Sequence, residues 1–561
     1  MYLSLIIPDK HMEKRFFLGV SVFWLICCVA LLIPSTHNLI ISFVEFIVNR
    51  SLDHSYWHKA FVTNGICGII LYIIFAWLFF AAFHSSKIAS KTLDIFVMTI
   101  SLIFAFFIMY KAGWVLGDDH EYITSTAINK YVPTVQFGGG RFMPFRYIEY
   151  NLPLFVFRCL GINTGLPVEA HFVVISLLYI VTVFCLYFLF RRITPIEAEG
   201  MYLVFNCFFA CTFLLLSNSF SWIFLDLVFP ETQVIMLFSI FMLMYYKALK
   251  TDNMRYYAIA LLSAIYSTYC KEPVFGVFLI IAFANYLFRY KKSKLEKIFY
   301  IALVANGIIF IILYYFLSYK NATRFYNEGR VSIEGFKFLM SVFRGSPILI
   351  IMFAFGLTRL YSIIVRKNRE YLFYDSLLFA GIGYVFAFFV LHLNADYYFL
   401  PSIILFLPSI VYWIKYSSRN LRVFSVALFI ILLIYTSNCG QTIGQIRNIL
   451  QERQEFMPYM IDLFSYHNEG KEFIWYESDN NIHRKTDKYR ENVFLNYINK
   501  SEGIDFFVVE KNMDNITMDQ NMLFFYPVEN LPMKDKLVKK LRDNNFVLYK
   551  DAYGISIYKQ H

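Results

Sequence analysis

Long apolar segments separated by short polar connections dominate the chain from its first to its fifth hundred residues. Since about twenty apolar residues cross a bilayer, the pattern predicts about thirteen transmembrane helices. These segments lie near 16–34, 61–83, 94–116, 171–190, 200–219, 233–248, 256–270, 274–290, 298–318, 347–365, 374–393, 398–415 and 423–437. The predicted fold class is an all-α polytopic membrane protein, in which the two short segments beside Cys270 are candidates for bent or half-buried helices.

Clusters of basic residues fall in alternate connections between these segments. One side of the bundle receives Lys87 and Lys91, Arg191 and Arg192, Lys247 to Arg255, Arg289 to Lys297, Arg366 to Arg369, and Lys415 to Arg422. Because Lys and Arg accumulate in cytoplasmic loops, that side and the N-terminus are predicted to be cytoplasmic. The external side then holds the long segments 35–60, 117–170, 319–346 and everything after Ser437.

The polar segment after residue 437 changes periodicity. Short apolar stretches that we interpret as having a period of two residues lie at 473–476, 506–509, 546–549 and 555–558, with helical patterns near 485–498 and 533–543. Alternation of this kind is typical of strands. We therefore predict two N-terminal helices and an external loop at 1–93, a transmembrane core at 94–437 that includes an external loop 117–170, and a small extracytoplasmic α/β domain at 438–561.

Composition narrows the class of protein. The 561 residues are 58% hydrophobic, 20% aromatic and 16% charged, which excludes an ordinary soluble protein. The net charge of +11 lies in the short clusters that orient membrane proteins, so the lipid bilayer is a predicted partner and nucleic acid is not. Nine cysteines form no Cys-x-x-Cys pair, so neither a zinc site nor a disulfide framework is indicated.

An acidic cluster, Asp118-Asp119-His120-Glu121-Tyr122, stands at the head of the external loop 117–170. A desolvated carboxylate there is suited to act as a general base on a hydroxyl. The alternative interpretation is an acidic helix end in water.

Two further external segments carry isolated positive charge. Gly138-Gly139-Gly140 precedes Arg141, and Cys270-Lys271-Glu272-Pro273 forms a short hairpin between apolar helices. Glycines allow a ligand to approach the backbone, and Arg or Lys binds phosphate. The alternatives are a flexible turn with a solvated arginine, and a lysine held among lipid headgroups.

The remaining candidates are aromatic or charged residues at the predicted external membrane edge. Tyr397 and Tyr398 fit either an aromatic belt or a groove for a prenyl chain or sugar. Glu231 is an external carboxylate, and Arg324 and Arg330 add positive charge to the loop after Lys320. Arg146 and Arg158 are interpreted as interfacial anchors.

Taken in order, these motifs resemble the GT-C superfamily of membrane glycosyltransferases, including enzymes that add aminoarabinose to lipid A, protein O-mannosyltransferases and O-antigen glucosyltransferases. Asp118-Asp119-His120-Glu121-Tyr122 is similar to an Asp-Glu-x-x-Tyr pattern, and its spacing to Gly140-Arg141 to an Asp-Asp…Gly-Arg pattern. Cys270-Lys271-Glu272-Pro273 resembles Thr-Lys-Gly-Pro, with Glu272 in place of glycine, and Tyr398-Phe399-Leu400-Pro401 matches Tyr-x-Leu-Pro. The acidic pair follows the third apolar segment rather than the first, as two added N-terminal helices would explain.

The resemblance implies an inverting glycosyltransferase that moves a sugar from a polyprenyl-phosphate carrier to a hydroxyl of a glycan or glycolipid acceptor. Asp118 and Asp119 would be catalytic. The donor phosphate would be bound by Lys271, Arg141, Arg324 and Arg330, and substrate by His120, Glu121, Tyr122, Glu231, Glu272, Tyr397 and Tyr398. Neither a metal nor another cofactor is predicted, and the expected location is the outer face of a bacterial cytoplasmic membrane.

Three other classes of protein stay open at this stage. A lipid-linked polysaccharide polymerase or ligase would also have external loops, but it would depend on arginines and histidines and not on Asp118. A lipid-oligosaccharide transporter would favour paired polar residues at mid-bilayer, and a structural membrane protein would have no catalytic loop.

Overall fold

The computed structural model describes residues 10–48, 51, 53–110, 125–132, 134–136, 140–162, 165–193, 218–225, 229–288, 292–321, 348–369, 372–391, 393, 396–416, 455, 458, 472–475, 507–510, 523–527, 534–552 and 555–560. Within these ranges the protein is mainly helical, with one strand pair near residue 140 and one larger sheet close to the C-terminus.

The helices, numbered here in chain order, are α1 (Lys10–Ala30), α2 (Pro34–Val48), α3 (His54–His84), α4 (Ser86–Tyr110), α5 (Ile148–Cys159), α6 (Val168–Ile193), α7 (Asn218–Leu225), α8 (Glu231–Thr251), α9 (Met254–Thr268), α10 (Val274–Phe288), α11 (Lys294–Leu317), α12 (Ile348–Ile364), α13 (Leu372–Val390), α14 (Asp396–Tyr416) and α15 (Lys534–Asp543). The strands are β1 (Val135–Gln136), β2 (Arg141–Phe142), β3 (Glu472–Trp475), β4 (Phe507–Glu510), β5 (Leu523–Pro527), β6 (Phe546–Ala552) and β7 (Ile555–Gln560).

Six of the described helices are long and apolar enough to cross a membrane: α3, α4, α6, α8, α11 and α13. The bent pair α1 and α2 would form a seventh span if it crosses as one unit, and α10, α12 and α14 are shorter apolar helices. The chain is therefore a multi-pass membrane protein. The predicted total of about thirteen spans stays a prediction, because the segment 423–437 and most of 200–219 lie outside the described residues.

The predicted external loop 35–60 is largely helical, since α2 and the first turns of α3 occupy it. α2 turns away from α1 by 87°, and the new helix starts at Pro34, a residue that suits a first helical position because its nitrogen carries no hydrogen to leave unpaired. Leu39, Phe43 and Phe46 share one face of α2 at helical spacing and are strongly exposed in the protein. A contiguous apolar face of this kind is suited to lipid contact.

Helix α8 is the best-enclosed span of the bundle. Val234, Ile235, Leu237 and Leu243 are all buried, and at about 100° per residue they point to different sides of the helix. A helix that is apolar on every side belongs inside a membrane protein rather than at its lipid boundary. The first turn of α8 is therefore fixed in the middle of one end of the bundle, where it carries buried polar residues.

The described basic clusters gather at the opposite end of the bundle, which we call the basic end. There Arg191 of α6 lies against α4, with its Nε 3.4 Å from Asp94 Oδ1. Tyr246 of α8 donates to the carbonyl oxygen of Arg192 at 3.4 Å, and its ring centroid is 5.4 Å from that of Phe373 at the start of α13. These contacts bring α4, α6, α8 and α13 together at the end that the sequence assigns to the cytoplasm; the orientation in the membrane stays a prediction.

The other end, here called the site end, contains the hairpin 269–273 between α9 and α10. The segment 140–147, which lies between β2 and α5, packs on this hairpin, and the backbone nitrogen of Phe145 donates to the carbonyl oxygen of Tyr269 at 3.1 Å. The first turns of α8 and α14 and the last turns of α13 adjoin the same hairpin, as the contacts of Lys271 with Glu231, Tyr398 and Phe388 show.

The C-terminal strands form a five-stranded mixed sheet in the order β4-β3-β5-β7-β6. β3 pairs in parallel with β4 and β5, whereas β7 pairs in antiparallel fashion with β5 and β6. The four predicted strand stretches correspond to β3, β4, β6 and β7 and the predicted helix at 533–543 to α15, whereas β5 was not predicted. The predicted helix at 485–498 lies outside the described residues, and a separate extracytoplasmic domain stays a prediction.

Candidate functional site

The predicted catalytic pair cannot be placed in this structure. Outside the described residues lie Asp118, Asp119, His120, Glu121, Tyr122, Arg324 and Arg330. The remaining predicted site residues are described, and they meet around the hairpin 269–273.

Lys271 is the centre of this cluster. It is only 5% exposed, and its Nζ makes an ion pair with Oε1 of Glu231, which is fully buried in the first turn of α8. A buried ammonium needs an opposite charge close by, because removing it from water is otherwise very unfavourable. The hairpin and the start of α8 are thus joined by a charged contact beneath the protein surface.

Two aromatic rings enclose the same ammonium. Lys271 Nζ lies 4.6 Å from the ring centroid of Tyr398 and 5.6 Å from that of Phe388, distances at which cation–π attraction operates. The ring centroid of Tyr397 lies 4.3 Å from that of Tyr398 and 4.2 Å from that of Phe229 just before α8. Both tyrosines therefore help to wall the site, with Tyr398 in contact with the charge.

Arg141 and Arg146 bring further positive charge to Lys271. Burial lowers the pKa of Lys271, Glu231 opposes that shift, and the two arginines lower it further. Arg141 follows Gly140, whose φ of +67° is a conformation that favours glycine, and it begins β2. The interpretation of Arg146 as an interfacial anchor is thus incomplete, because its charge acts on Lys271 as well.

Arg158, the other predicted anchor, has partners elsewhere. Its Nε donates to Asn129 Oδ1 at 2.7 Å, and its guanidinium carbon lies 4.3 Å above the ring centroid of Tyr131. These contacts tie the end of α5 to the segment before β1. Arg158 therefore organises the loop rather than the cluster around Lys271.

Glu272 also has an identified partner. Its Oε1 accepts a hydrogen bond from the backbone nitrogen of Phe142 at 3.3 Å, which links the hairpin to β2. The residue was predicted to bind substrate, and the contact shows that at least one of its oxygens stabilises the segment carrying Arg141.

A second buried network was not predicted from the sequence. Cys270 donates through Sγ to Gln233 Oε1 at 3.2 Å, and the amide nitrogen of Gln233 donates to Glu149 Oε2 at the start of α5. Burial raises the pKa of Glu149 to about 8, a shift that its backbone hydrogen bond and Arg146 reduce but do not cancel. Two signals were available in the sequence: a glutamine within an apolar span and a carboxylate beside apolar residues.

Glu231 Oε2 and the hydroxyl of Tyr384 in α13 are buried polar atoms at the site that have no hydrogen-bond partner among the described residues. Tyr384 lies within electrostatic range of Glu231 and Glu272. A buried polar atom without a partner is unfavourable, so these atoms fit a place where a polar ligand or water is bound. Among the described residues, no group of three or more His, Cys, Asp or Glu side chains is arranged to hold a metal ion.

No protein-family model and no curated protein matches the sequence. Among solved structures, the chain is similar to ArnT from Cupriavidus metallidurans bound to undecaprenyl phosphate, with 10% identity over 83% of this chain and 97% of that one and a TM-score of 0.44. The apo state of that protein gives 10% identity, 84% and 98% coverage and a TM-score of 0.46. An oligosaccharyltransferase from Archaeoglobus fulgidus tethered with an acceptor peptide gives 12% identity, 71% and 59% coverage and a TM-score of 0.32.

At 10–12% identity and TM-scores of 0.32–0.46, these likenesses identify neither a family nor a substrate nor a catalytic residue of this chain.

Proposed function

We propose that this protein is a membrane glycosyltransferase that moves a sugar from a polyprenyl-phosphate carrier to a hydroxyl of a glycan or glycolipid, as in O-antigen modification. The observation that carries the proposal is the buried Lys271, which is placed between two apolar helices, beside Arg141 and Arg146 and against the ring of Tyr398. Such surroundings favour a ligand in which a phosphate, bound by the cationic side chains, carries a long apolar chain.

The catalytic proposal adds Asp118 and Asp119 to this site. Both belong to the predicted loop 117–170, whose described part contacts the hairpin through Phe142 and Phe145. Asp118 would take the proton of the acceptor hydroxyl while the hydroxyl oxygen bonds to the anomeric carbon of the sugar. Asp119 would hold or orient the acceptor.

The leaving group determines where positive charge is needed. As the bond between the anomeric carbon and the phosphate oxygen breaks, its electron pair stays with the polyprenyl phosphate, and attack from the opposite face inverts the anomeric centre. Lys271, Arg141 and Arg146 would stabilise the growing negative charge, which is the usual largest contribution to such catalysis. Arg324 and Arg330 are proposed as further donors from the loop after α11.

The proposed assignments extend to location and domains. The site end would face outward, because the basic end carries the clusters that the positive-inside rule assigns to the cytoplasm. A bacterial cytoplasmic membrane is the proposed location, with 94–437 as the transferase core and 438–561 as an external domain.

Mass spectrometry of surface glycans and polyprenyl-phosphate-linked sugars from cells with and without the gene tests this function. We expect one sugar to be added to an acceptor only when the wild-type protein is present. D118N and K271M should abolish the addition while the protein still accumulates in the membrane. E169Q, which changes an exposed carboxylate in the first turn of α6, is the matched control and should keep it. Unchanged product from D118N would instead favour a polymerase, a ligase or a transporter.

A further inference from the structure

The buried contact between Glu149, Gln233 and Cys270 connects three separate parts of the chain. Gln233 is 2% exposed and Cys270 is fully buried. The amide of Gln233 uses its nitrogen toward Glu149 and its oxygen toward the Cys270 thiol. Because both ends of the amide are engaged, its orientation is determined, and so is the separation between α5 and the hairpin.

The network lies directly beside the ion pair of Lys271. Cys270 is bonded to Lys271, and Gln233 follows Glu231 by two residues. The first turn of α8 therefore holds two consecutive hairpin residues, one through a carboxylate and the other through an amide. A substitution at Gln233 or Glu149 alters the contacts of Cys270, the residue that directly precedes Lys271 in the chain.

Four residues act on Glu149, one from its own segment and three from other elements. Arg146 comes from its own segment, Gln233 from α8, Tyr266 from α9 and Cys270 from the hairpin. Arg146 is the charged group among these, since burial raises the pKa of the Cys270 thiol well above its usual range. With a pKa of about 8, Glu149 is mostly protonated at neutral pH and becomes charged as the pH rises through that value.

The charge of Glu149 decides the balance of the site. Lys271, Arg141 and Arg146 supply three positive charges near the hairpin, while Glu231 and Glu272 supply two negative ones. Counted over the described residues alone, the cluster has one excess positive charge with Glu149 neutral and none with Glu149 ionised. An entering phosphate is therefore attracted in the first state and much less in the second.

We propose that Glu149 and Gln233 are positioning residues for Lys271, and that protonated Glu149 is the form of the site that accepts an anion. The inference rests on the proposed function and adds to it a built-in control of carrier binding by the proton. Glu149 touches neither the phosphate nor the sugar in this proposal. It acts through Gln233 and Cys270 and through its charge.

Binding of undecaprenyl phosphate to the full chain in lipid nanodiscs, measured from pH 7.5 to 9.5, tests the proposal. In this interval the ligand keeps a constant charge, since the second pKa of a phosphate monoester is about 6. The wild-type affinity should fall by about tenfold across the interval as Glu149 ionises. E149Q, which resembles the protonated carboxyl in shape, should lose most of this fall, whereas E169Q should keep it.

The positioning role has a separate readout. C270S retains a donor to Gln233 and should bind with nearly wild-type affinity, while C270A removes the donor and should bind several-fold more weakly at every pH. An unchanged pH response in E149Q, or equal affinities for C270A and C270S, would overturn the inference. If wild-type protein binds no undecaprenyl phosphate at any pH, the proposed function fails and the inference falls with it; binding without any response to pH overturns the inference alone.

Discussion

Two ion pairs at opposite ends of the bundle each hold a buried carboxylate, but their geometries differ. At the basic end, Arg359 of α12 bonds both oxygens of Asp375 in α13, at 2.7 and 2.8 Å. At the site end, Lys271 bonds one oxygen of Glu231, and the second oxygen has no partner among the described residues. A fork of two parallel bonds satisfies the carboxylate, so the first pair is complete and the second retains an acceptor for a ligand.

The charges around the Lys271–Glu231 pair also suit a bound anion. Near Lys271, Arg141 and Arg146 add positive charge that a single glutamate does not neutralise. A flexible lysine with a point charge can also change partners more readily than a planar guanidinium. We infer that the Arg359–Asp375 pair holds helices together, whereas Lys271 exchanges Glu231 for the phosphate of the carrier.

The largest expected effect comes from K271M, which keeps the length of the side chain and removes its charge. Sugar transfer should fall by about 10²–10³-fold, as expected when a group that stabilises the leaving charge is lost. The measurement is the initial rate per folded protein, with folding checked by size-exclusion chromatography. A rate within threefold of wild type would mean that Lys271 belongs to a structural pair like Arg359.

R359M should lower the stability of the protein and leave its activity nearly unchanged, the reverse of K271M. Removing the arginine leaves Asp375 buried and unpaired, a change that destabilises proteins by about 3–5 kcal/mol. Thermal unfolding in detergent should therefore shift to a lower temperature, while the rate per folded molecule stays near wild type. Loss of rate without loss of stability would remove the contrast between the two ends.

E231Q should not abolish carrier binding but should bring the deprotonation of Lys271 to a lower pH, in addition to the fall in affinity that the ionisation of Glu149 is expected to cause. Glu231 raises the pKa of Lys271 against burial, so without its charge the ammonium loses its proton at a lower pH. Affinity for undecaprenyl phosphate should then decline at a lower pH than in wild-type protein. The check is a binding titration at several pH values, and a limit that stays in place or moves upward would argue against the pair as drawn.

The smallest expected effects concern Tyr398. Y398F keeps the ring over Lys271 and should change carrier affinity by less than about twofold, because cation–π attraction depends on the ring face. Y398L removes that face and should weaken affinity by about threefold to tenfold. Equal effects of the two variants would show that the hydroxyl, and not the ring, serves the site.

The sequence predicted that Lys271, Glu231, Glu272, Arg141 and Tyr398 all lie on the external side, but it did not predict the contacts among them. The alternation of basic clusters along the chain was enough to predict that these residues lie on one side of the membrane, because the positive-inside rule needs only the positions of Lys and Arg. It could not show that Lys271 is paired with Glu231, since the partner comes from another helix and depends on how α8 packs. The functional roles of all these residues stay predictions.

Other parts of the fold were beyond a reading of single segments. α2 was predicted as loop because fifteen residues are too few for a span, although its apolar spacing favours a helix. Gln233 and Glu149 were overlooked because a polar residue in an apolar run has no visible partner until the helices are packed. Arg146 was interpreted by its distance from the membrane edge, whereas its effect on Lys271 depends on the fold of the segment 140–147.

Binding of undecaprenyl phosphate to wild-type, K271M and K247M protein in nanodiscs tests the central claim most directly. Lys247 is a matched control, since its Nζ also lies over a tyrosine ring, 5.3 Å from the centroid of Tyr256, but at the basic end. The proposed site predicts that K271M loses binding by at least about tenfold and that K247M binds as wild type does. Equal binding by K271M and wild-type protein would contradict the assignment of the carrier phosphate to this hairpin.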